Sequence, residues 1–279
     1  MNLSFTKMQG LGNDFVVLDG VREAITLTPQ QIRVMADRRL GVGCDQLLIV
    51  EPASSASADF RYRIWNADGG EVEHCGNGIR CVARFIHERG LSDATHLTFQ
   101  TQRGLTRTER LADGQIRVDM GAPILAPANI PFLADTQATQ YPLKVADATW
   151  QIAAVSMGNP HAVLRVDDTD QAPVNTLGPR IEQHPDFPER VNVGFMQIVD
   201  RHHIRLRVFE RAVGETPACG TGACAAVVAS ILNGWTEAEV KVSVPGGQLM
   251  IDWQGNNAPV WMTGPAVTVF EGKLAAGRV

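Results

Sequence analysis

The sequence predicts an α+β fold made of two pseudo-symmetric repeats, each a curved antiparallel sheet or barrel wrapped around a central helix. Three observations carry this reading. A cysteine-glycine stretch occurs twice, as Cys75-Gly76-Asn77-Gly78-Ile79-Arg80-Cys81 and as Cys219-Gly220-Thr221-Gly222-Ala223-Cys224. The segments before it, residues 61–66 and 205–210, match at the same offset. Gly12-Asn13-Asp14-Phe15 resembles Gly158-Asn159-Pro160-His161, and Gly121-Ala122-Pro123 resembles Gly264-Pro265-Ala266. Chance rarely keeps one offset, to within a few residues, across four places, so the chain reads as an internal duplication. Each half then runs strand, helix, strands, helix, strands, which is an α+β order. Finally, residues 223–232 are apolar on nearly every face, and a helix of that kind must be enclosed.

Taken in order, residues 4–18 read as a strand interrupted by the loop 10–14. Thr28 as N-cap and Pro29 at the first position open a helix that runs to about Leu40. A turn at 41–46 leads to a buried strand at 47–51, and residues 60–66 alternate like a half-exposed strand. A turn at 67–70 precedes the first cysteine helix, which stops at Arg89-Gly90. Residues 97–101, 105–111 and 115–120 form a meander, with Asp113-Gly114 as its hairpin turn. The second half repeats the plan. Strands at 151–156 and 162–166 flank the loop 158–161, a weaker helix covers 174–183, and strands at 193–200 and 203–210 follow. The second cysteine helix stops at Asn233-Gly234, and strands at 240–244, 248–253 and 260–262 close the half. The expected domains are residues 1–120, completed by 265–279, and residues 121–264, with the ligand site in the cleft between them.

A net charge of -5 offers no basic footprint for nucleic acid. The start of the chain has no signal-peptide core, and no apolar run approaches the roughly 20 residues of a membrane span. Five cysteines, an odd number, suggest reduced thiols and a cytoplasmic protein.

Cys219 and Cys75 each stand at a helix N-terminus. Unpaired amide N–H groups and the positive end of the dipole converge there and predict a lowered thiol pKa. Two equivalent thiols suit a symmetric reaction, in which a thiolate takes a proton from one face of a carbon and a thiol returns one to the other. Such a pair titrates as a unit and shares one proton. The helix N-termini also offer N–H donors to a carboxylate. Cys81 and Cys224, inside their helices, read as core, and Cys44 receives no role. His202-His203 reads as a solvated strand end, and the cysteine spacings lack zinc pairing, so no metal is expected. Asn13 and Asn159 alone would be turn residues; their equivalence under the repeat raises them.

These residues carry a resemblance. Gly10-Leu11-Gly12-Asn13-Asp14-Phe15, Asn66-Ala67-Asp68-Gly69, both cysteine stretches, Gly158-Asn159-Pro160-His161 and Glu210-Arg211 are together similar to the diaminopimelate epimerases. That family is independent of pyridoxal phosphate and serves bacterial lysine and peptidoglycan precursor synthesis. The resemblance covers essentially the whole chain. It implies an isomerase that interconverts LL- and meso-diaminopimelate, with Cys75 and Cys219 as the base and acid at the α-carbon. Gly76, Asn77, Gly220 and Thr221 would bind the carboxylate at that centre. Asn13, Gln46, Asn66, Asn159, Asn192, Glu210 and Arg211 would hold the amino and carboxyl groups of both ends, and His161 and Glu210 would tune the thiols. No cofactor is implied, and the four lysines, Lys7, Lys144, Lys241 and Lys273, fall outside the repeated motifs. A homodimer is implied as well. The rival readings are a working disulfide between the two cysteines, a binding module with structural cysteines, and a proline or hydroxyproline racemase.

Overall fold

The computed structural model describes residues 3–72 and 76–275; Cys75, one of the two expected catalytic residues, lies outside them. The first half holds β1 (Leu3–Gly10), β2 (Asn13–Asp19), α1 (Pro29–Ala36), β3 (Gln46–Pro52), β4 (Phe60–Asn66), β5 (Glu71–Val72), α2 (Gly76–Glu88), β6 (His96–Thr101), β7 (Gly104–Arg110) and β8 (Ile116–Asp119). After a short 3-10 turn at Pro127–Asn129 come β9 (Tyr141–Val145), β10 (Ala148–Ser156), β11 (Pro160–Arg165), α3 (Val174–Glu182), β12 (Asn192–Asp200), β13 (His203–Glu210) and β14 (Gly214–Thr216). The chain continues through α4 (Gly220–Leu232), β15 (Glu239–Val244), β16 (Gly247–Asp252), β17 (Trp261–Gly264) and β18 (Val267–Leu274).

The pairing repeats strand for strand. β1–β2, β3–β4, β6–β7 and β7–β8 are antiparallel, and so are their counterparts β10–β11, β12–β13, β15–β16 and β16–β17. The expected antiparallel sheet is in fact mixed. β2–β3, β4–β6, β11–β12 and β13–β15 are parallel, and in each case a helix connects the two strands. A parallel partner can be reached only by a crossover, and α1, α2, α3 and α4 supply the four.

The chain divides into two compact units, Met1–Val118 with Gly264–Val279, and Asp119–Thr263. In the first, β18 returns from the end of the chain to pair antiparallel with β1. In the second, β9 fills the equivalent place beside β10. Helix α2 packs on β1, β2, β3, β7 and β18, and α4 packs on β10, β11, β12, β13 and β16, so each unit wraps its strands around its cysteine helix. Ala223, Cys224, Ala225, Ala226, Val227, Val228 and Ala229 are fully buried. Cys81, Cys224 and Cys44 are buried, reduced cysteines, and burial raises the Cys44 pKa to about 11. Helix α1 has the expected Thr28 cap with a full capping box, but it ends at Ala36 rather than near Leu40. The Asp37 carboxylate accepts the amide protons of Arg39 and Leu40 at 2.8 and 2.7 Å, which favours a turn over another helical turn.

Candidate active site

In the first unit, Leu11-Gly12 forms a two-residue hairpin turn with φ of 58° and 87°, the geometry that suits a tight hairpin. Asn13 therefore opens β2 at the hairpin end. Its Nδ2 donates to Asp45 Oδ2 at 3.0 Å. Gln46 starts β3 opposite Asn66, the last residue of β4, and Gln46 Nε2 donates to Asn66 Oδ1 at 2.9 Å. Gln46 Oε1 is buried without a hydrogen-bond partner. An orphaned amide oxygen costs about 1–3 kcal/mol, which a ligand N–H would relieve. Gly76 and Asn77 are buried in the first turn of α2, and Asn77 Nδ2 lies 3.5 Å from Asn13 Oδ1.

In the second unit, Cys219 is the N-cap of α4, at the foot of a helix otherwise enclosed by apolar side chains. Its thiol donates to Glu210 Oε2 at 3.2 Å and lies 3.6 Å from Thr221 Oγ1. The other carboxylate oxygen of Glu210 accepts from Thr216 Oγ1 at 2.5 Å. Glu210 is the last residue of β13, and β14 folds back on that strand to bring Thr216 within reach. Asn159 Nδ2 donates to Thr221 Oγ1 at 3.3 Å, and Asn159 Oδ1 lies 3.1 Å from His161 Nε2. Asn192 bridges two loops: Nδ2 donates to Pro160 O at 3.0 Å, and Oδ1 accepts from Arg211 N at 3.0 Å.

Asn159, His161, Asn192, Glu210, Arg211, Cys219, Gly220 and Thr221 thus share one region of the second unit, and Asn13, Gln46, Asn66, Gly76 and Asn77 lie around the hairpin end and helix start of the first. One local expectation changes. The Cys219 pKa is raised, not lowered. Burial comes first and the Glu210 carboxylate second, and together they outweigh the Thr221 hydroxyl and the Gly222 amide. His161 bonds Asn159 rather than the Cys219 thiol, and burial, with the Arg211 charge, lowers its pKa to about 3, so the ring is neutral. Arg211 is only half-buried, with Nη1 on Glu189 O at 2.9 Å.

Sequence reasoning missed three supporting groups. Arg80 is fully buried in α2 and bonds Asn77 Oδ1 at 2.7 Å, Gly76 O at 3.2 Å and Pro265 O at 3.1 Å. A charge in an otherwise apolar helix face, where the other repeat has Cys224, was the available signal. Asp45 holds Asn13, as described. Glu182, 3% exposed, accepts from Ala212 N at 3.1 Å and pairs with Arg190 at 3.4 Å, which ties down the segments bearing Arg211 and Asn192. Among the described residues no cluster of His, Cys, Asp and Glu could hold a metal ion.

The family profile described as Diaminopimelate epimerase matches residues 5–126 and 153–269. A diaminopimelate epimerase of Alkalilimnicola ehrlichii is 59% identical over 276 residues, 98% of this chain and 99% of that one. One of Chromobacterium violaceum is 58% identical over 274 residues, with the same coverage. Among solved structures, a phenazine biosynthesis protein of the PhzF family from Bacillus anthracis superposes with a TM-score of 0.71 at 20% identity, over 99% of both chains. A hydroxyproline epimerase from Agrobacterium vitis gives 0.71 at 18% identity, over 99% of this chain and 93% of that one. At those identities the structural likeness speaks for the fold alone, whereas the near-full-length matches settle the lineage: the chain belongs to the diaminopimelate epimerase family.

Proposed function

We propose that this chain interconverts LL- and meso-diaminopimelate by proton transfer at the α-carbon, with Cys219 and Cys75 on opposite faces of that carbon. The observation that carries the reading is the setting of Cys219: a buried thiol at the N-cap of α4, bonded to a carboxylate, in a motif repeated around Cys75. Because its pKa is raised, Cys219 rests as the thiol and is the acid. It delivers its proton to the carbon after Cys75, as thiolate, has removed the original one from the other face. Cys219 is then the thiolate and Cys75 the thiol, the state that runs the reverse reaction; return of one proton from Cys75 to Cys219 by way of solvent restores the pair for another forward turnover, with no net proton change. Amide N–H groups at the two helix starts, Gly76-Asn77 and Gly220-Thr221, hold the α-carboxylate as negative charge spreads onto it. The buried Gln46 Oε1 suits a substrate ammonium. Asn66, Asn159, Asn192 and Arg211 bind the remaining polar groups of the second end.

A proline racemase activity shares the fold, but relatives above 55% identity carry the diaminopimelate name while the hydroxyproline epimerase stands at 18%. The deciding experiment is α-proton exchange with solvent deuterium, with diaminopimelate against proline. Exchange of diaminopimelate alone is expected, and epimerisation is abolished in Cys219→Ala and in Cys75→Ala; full epimerisation by Cys219→Ala would sink the two-thiol mechanism. We also place the protein in the cytoplasm, which suits its four described reduced cysteines, and infer a homodimer. Val267, Val269 and Phe270 leave β18 with exposed apolar side chains at 39%, 55% and 47%. Sedimentation at micromolar concentration tests this, and a monomer would refute it. No helix among the described residues is long and apolar enough to cross a membrane.

A further inference from the structure

We propose that Arg80 and Asp45 are positioning residues that fix which end of the Asn77 and Asn13 side-chain amides faces the ligand. The proposal rests on the active-site reading above and adds the polarity of those two groups. An amide's oxygen and nitrogen are hard to tell apart by shape, so the neighbours must decide. A guanidinium can only donate, so the Asn77 atom 2.7 Å from Arg80 Nη2 is its oxygen. A carboxylate can only accept, so the Asn13 atom 3.0 Å from Asp45 Oδ2 is its nitrogen. These two assignments are independent, and they agree where they meet: they leave Asn77 nitrogen facing Asn13 oxygen, at 3.5 Å. The result is a one-way run of donors from Arg80 through Asn77 and Asn13 to Asp45.

Both ends are firmly held. Arg80 is sealed in α2 by the carbonyls of Gly76 and Pro265, and a methyl group on Gly10 would come within 3.2 Å of Arg80 Nη2, so glycine lets the hairpin close over it. Asp45 accepts from Arg38 Nη2 at 2.7 Å and from the Asp14 amide at 3.1 Å, while Arg38 also grips Asp14 at 2.7 and 2.9 Å. The equivalent asparagine of the second repeat is held differently. Asn159 lies between the Thr221 hydroxyl and a neutral His161, and each of these can donate or accept. Charge therefore locks the amide polarity in one repeat only. Asn77 presents N–H to a carboxylate and Asn13 presents C=O to an ammonium, which helps a duplicated scaffold seat an asymmetric amino acid in one orientation.

Three measurements test this. In Asp45→Ala the acceptor is lost, and KM for diaminopimelate should rise about tenfold, with kcat within about twofold. The same change in an Asn13→Ala background should add nothing. Arg80→Met should lower kcat/KM by about tenfold or more, Arg80→Lys should recover part of it because an ammonium still donates to Asn77, and neither should act further on Asn77→Ala. Additive losses in either double mutant would overturn the proposal. If Arg80→Met does not fold, the half-exposed Asp45 supplies the same cycle. Side-chain amide proton exchange, followed by NMR without substrate, separates this proposal from the function it rests on. The Asn13 NH2 should be protected in the native protein and lose that protection in Asp45→Ala; unchanged exchange refutes the orientation whatever the substrate proves to be.

Discussion

Gly222 lies one helical residue beyond Thr221, directly behind the Cys219 thiol. A methyl group there would sit 3.1 Å from Val208 Cγ2, 3.2 Å from Cys219 Cβ and 3.3 Å from Cys219 Sγ. Comfortable contacts begin near 3.5–4.0 Å, so something must move by about 0.4 Å. Val208 is 2% exposed and packed in β13, which leaves the thiol as the softer neighbour. Two terms nearly cancel in stability. Alanine gains about 0.8–1 kcal/mol over glycine within a helix, and overpacking costs about 1–3 kcal/mol. The melting temperature should therefore fall by no more than ~3 °C to 6 °C. Activity has no such compensation. If a misplacement of about 1 Å costs about a hundredfold, ~0.4 Å costs five- to tenfold. The assay is kcat for epimerisation of diaminopimelate in Gly222→Ala beside a thermal melt. An unchanged kcat would mean that the thiol position is not critical or that the methyl is absorbed elsewhere. A kcat that falls only in step with the folded fraction would reduce the effect to general destabilisation.

Two further outcomes follow from the same geometry. Arg211→Met should narrow the preference for diaminopimelate over lysine about tenfold in kcat/KM; the half-exposed guanidinium argues against the larger loss a buried one would cause, and an unchanged ratio would remove Arg211 from the distal carboxylate. For His161 the folded pKa of about 3 lies below the ordinary 6.5, so its contribution to stability is fully present above pH 6.5 and is lost as the pH falls from there towards 3. Urea unfolding should show a loss approaching about 1.4 kcal/mol per pH unit in that window, and His161→Asn should lack it; parallel profiles for the two proteins would show that the ring is not held neutral.

What could be read from the residue string was what local chemistry and periodicity encode. The duplication was visible because two copies keep their spacing. The helix starting at Gly220 was visible because its run of apolar residues ends at Asn233-Gly234, and the Thr28-Pro29 start because a cap and a fixed φ act within four residues. The polar residues Asn13, Asn159, Glu210 and Cys219 stood out for their places in the repeat, and the family resemblance joined them into a site.

The rest depended on distances that no linear spacing encodes. Whether a strand pairs parallel or antiparallel is decided by where its helix returns it, so the four crossovers emerged only in the fold. The α1 terminus turned on which amides Asp37 reached. Arg80 reads as one charge in an apolar segment until the fold sets Pro265, from the far end of the chain, against its Nε. The protonation of Cys219 shows the division most plainly. Its place at a helix N-terminus is local and argues for a thiolate, but burial and the carboxylate brought by β13 are tertiary, and in a medium with little water to screen them they outweigh the helix amides and keep the proton on sulfur.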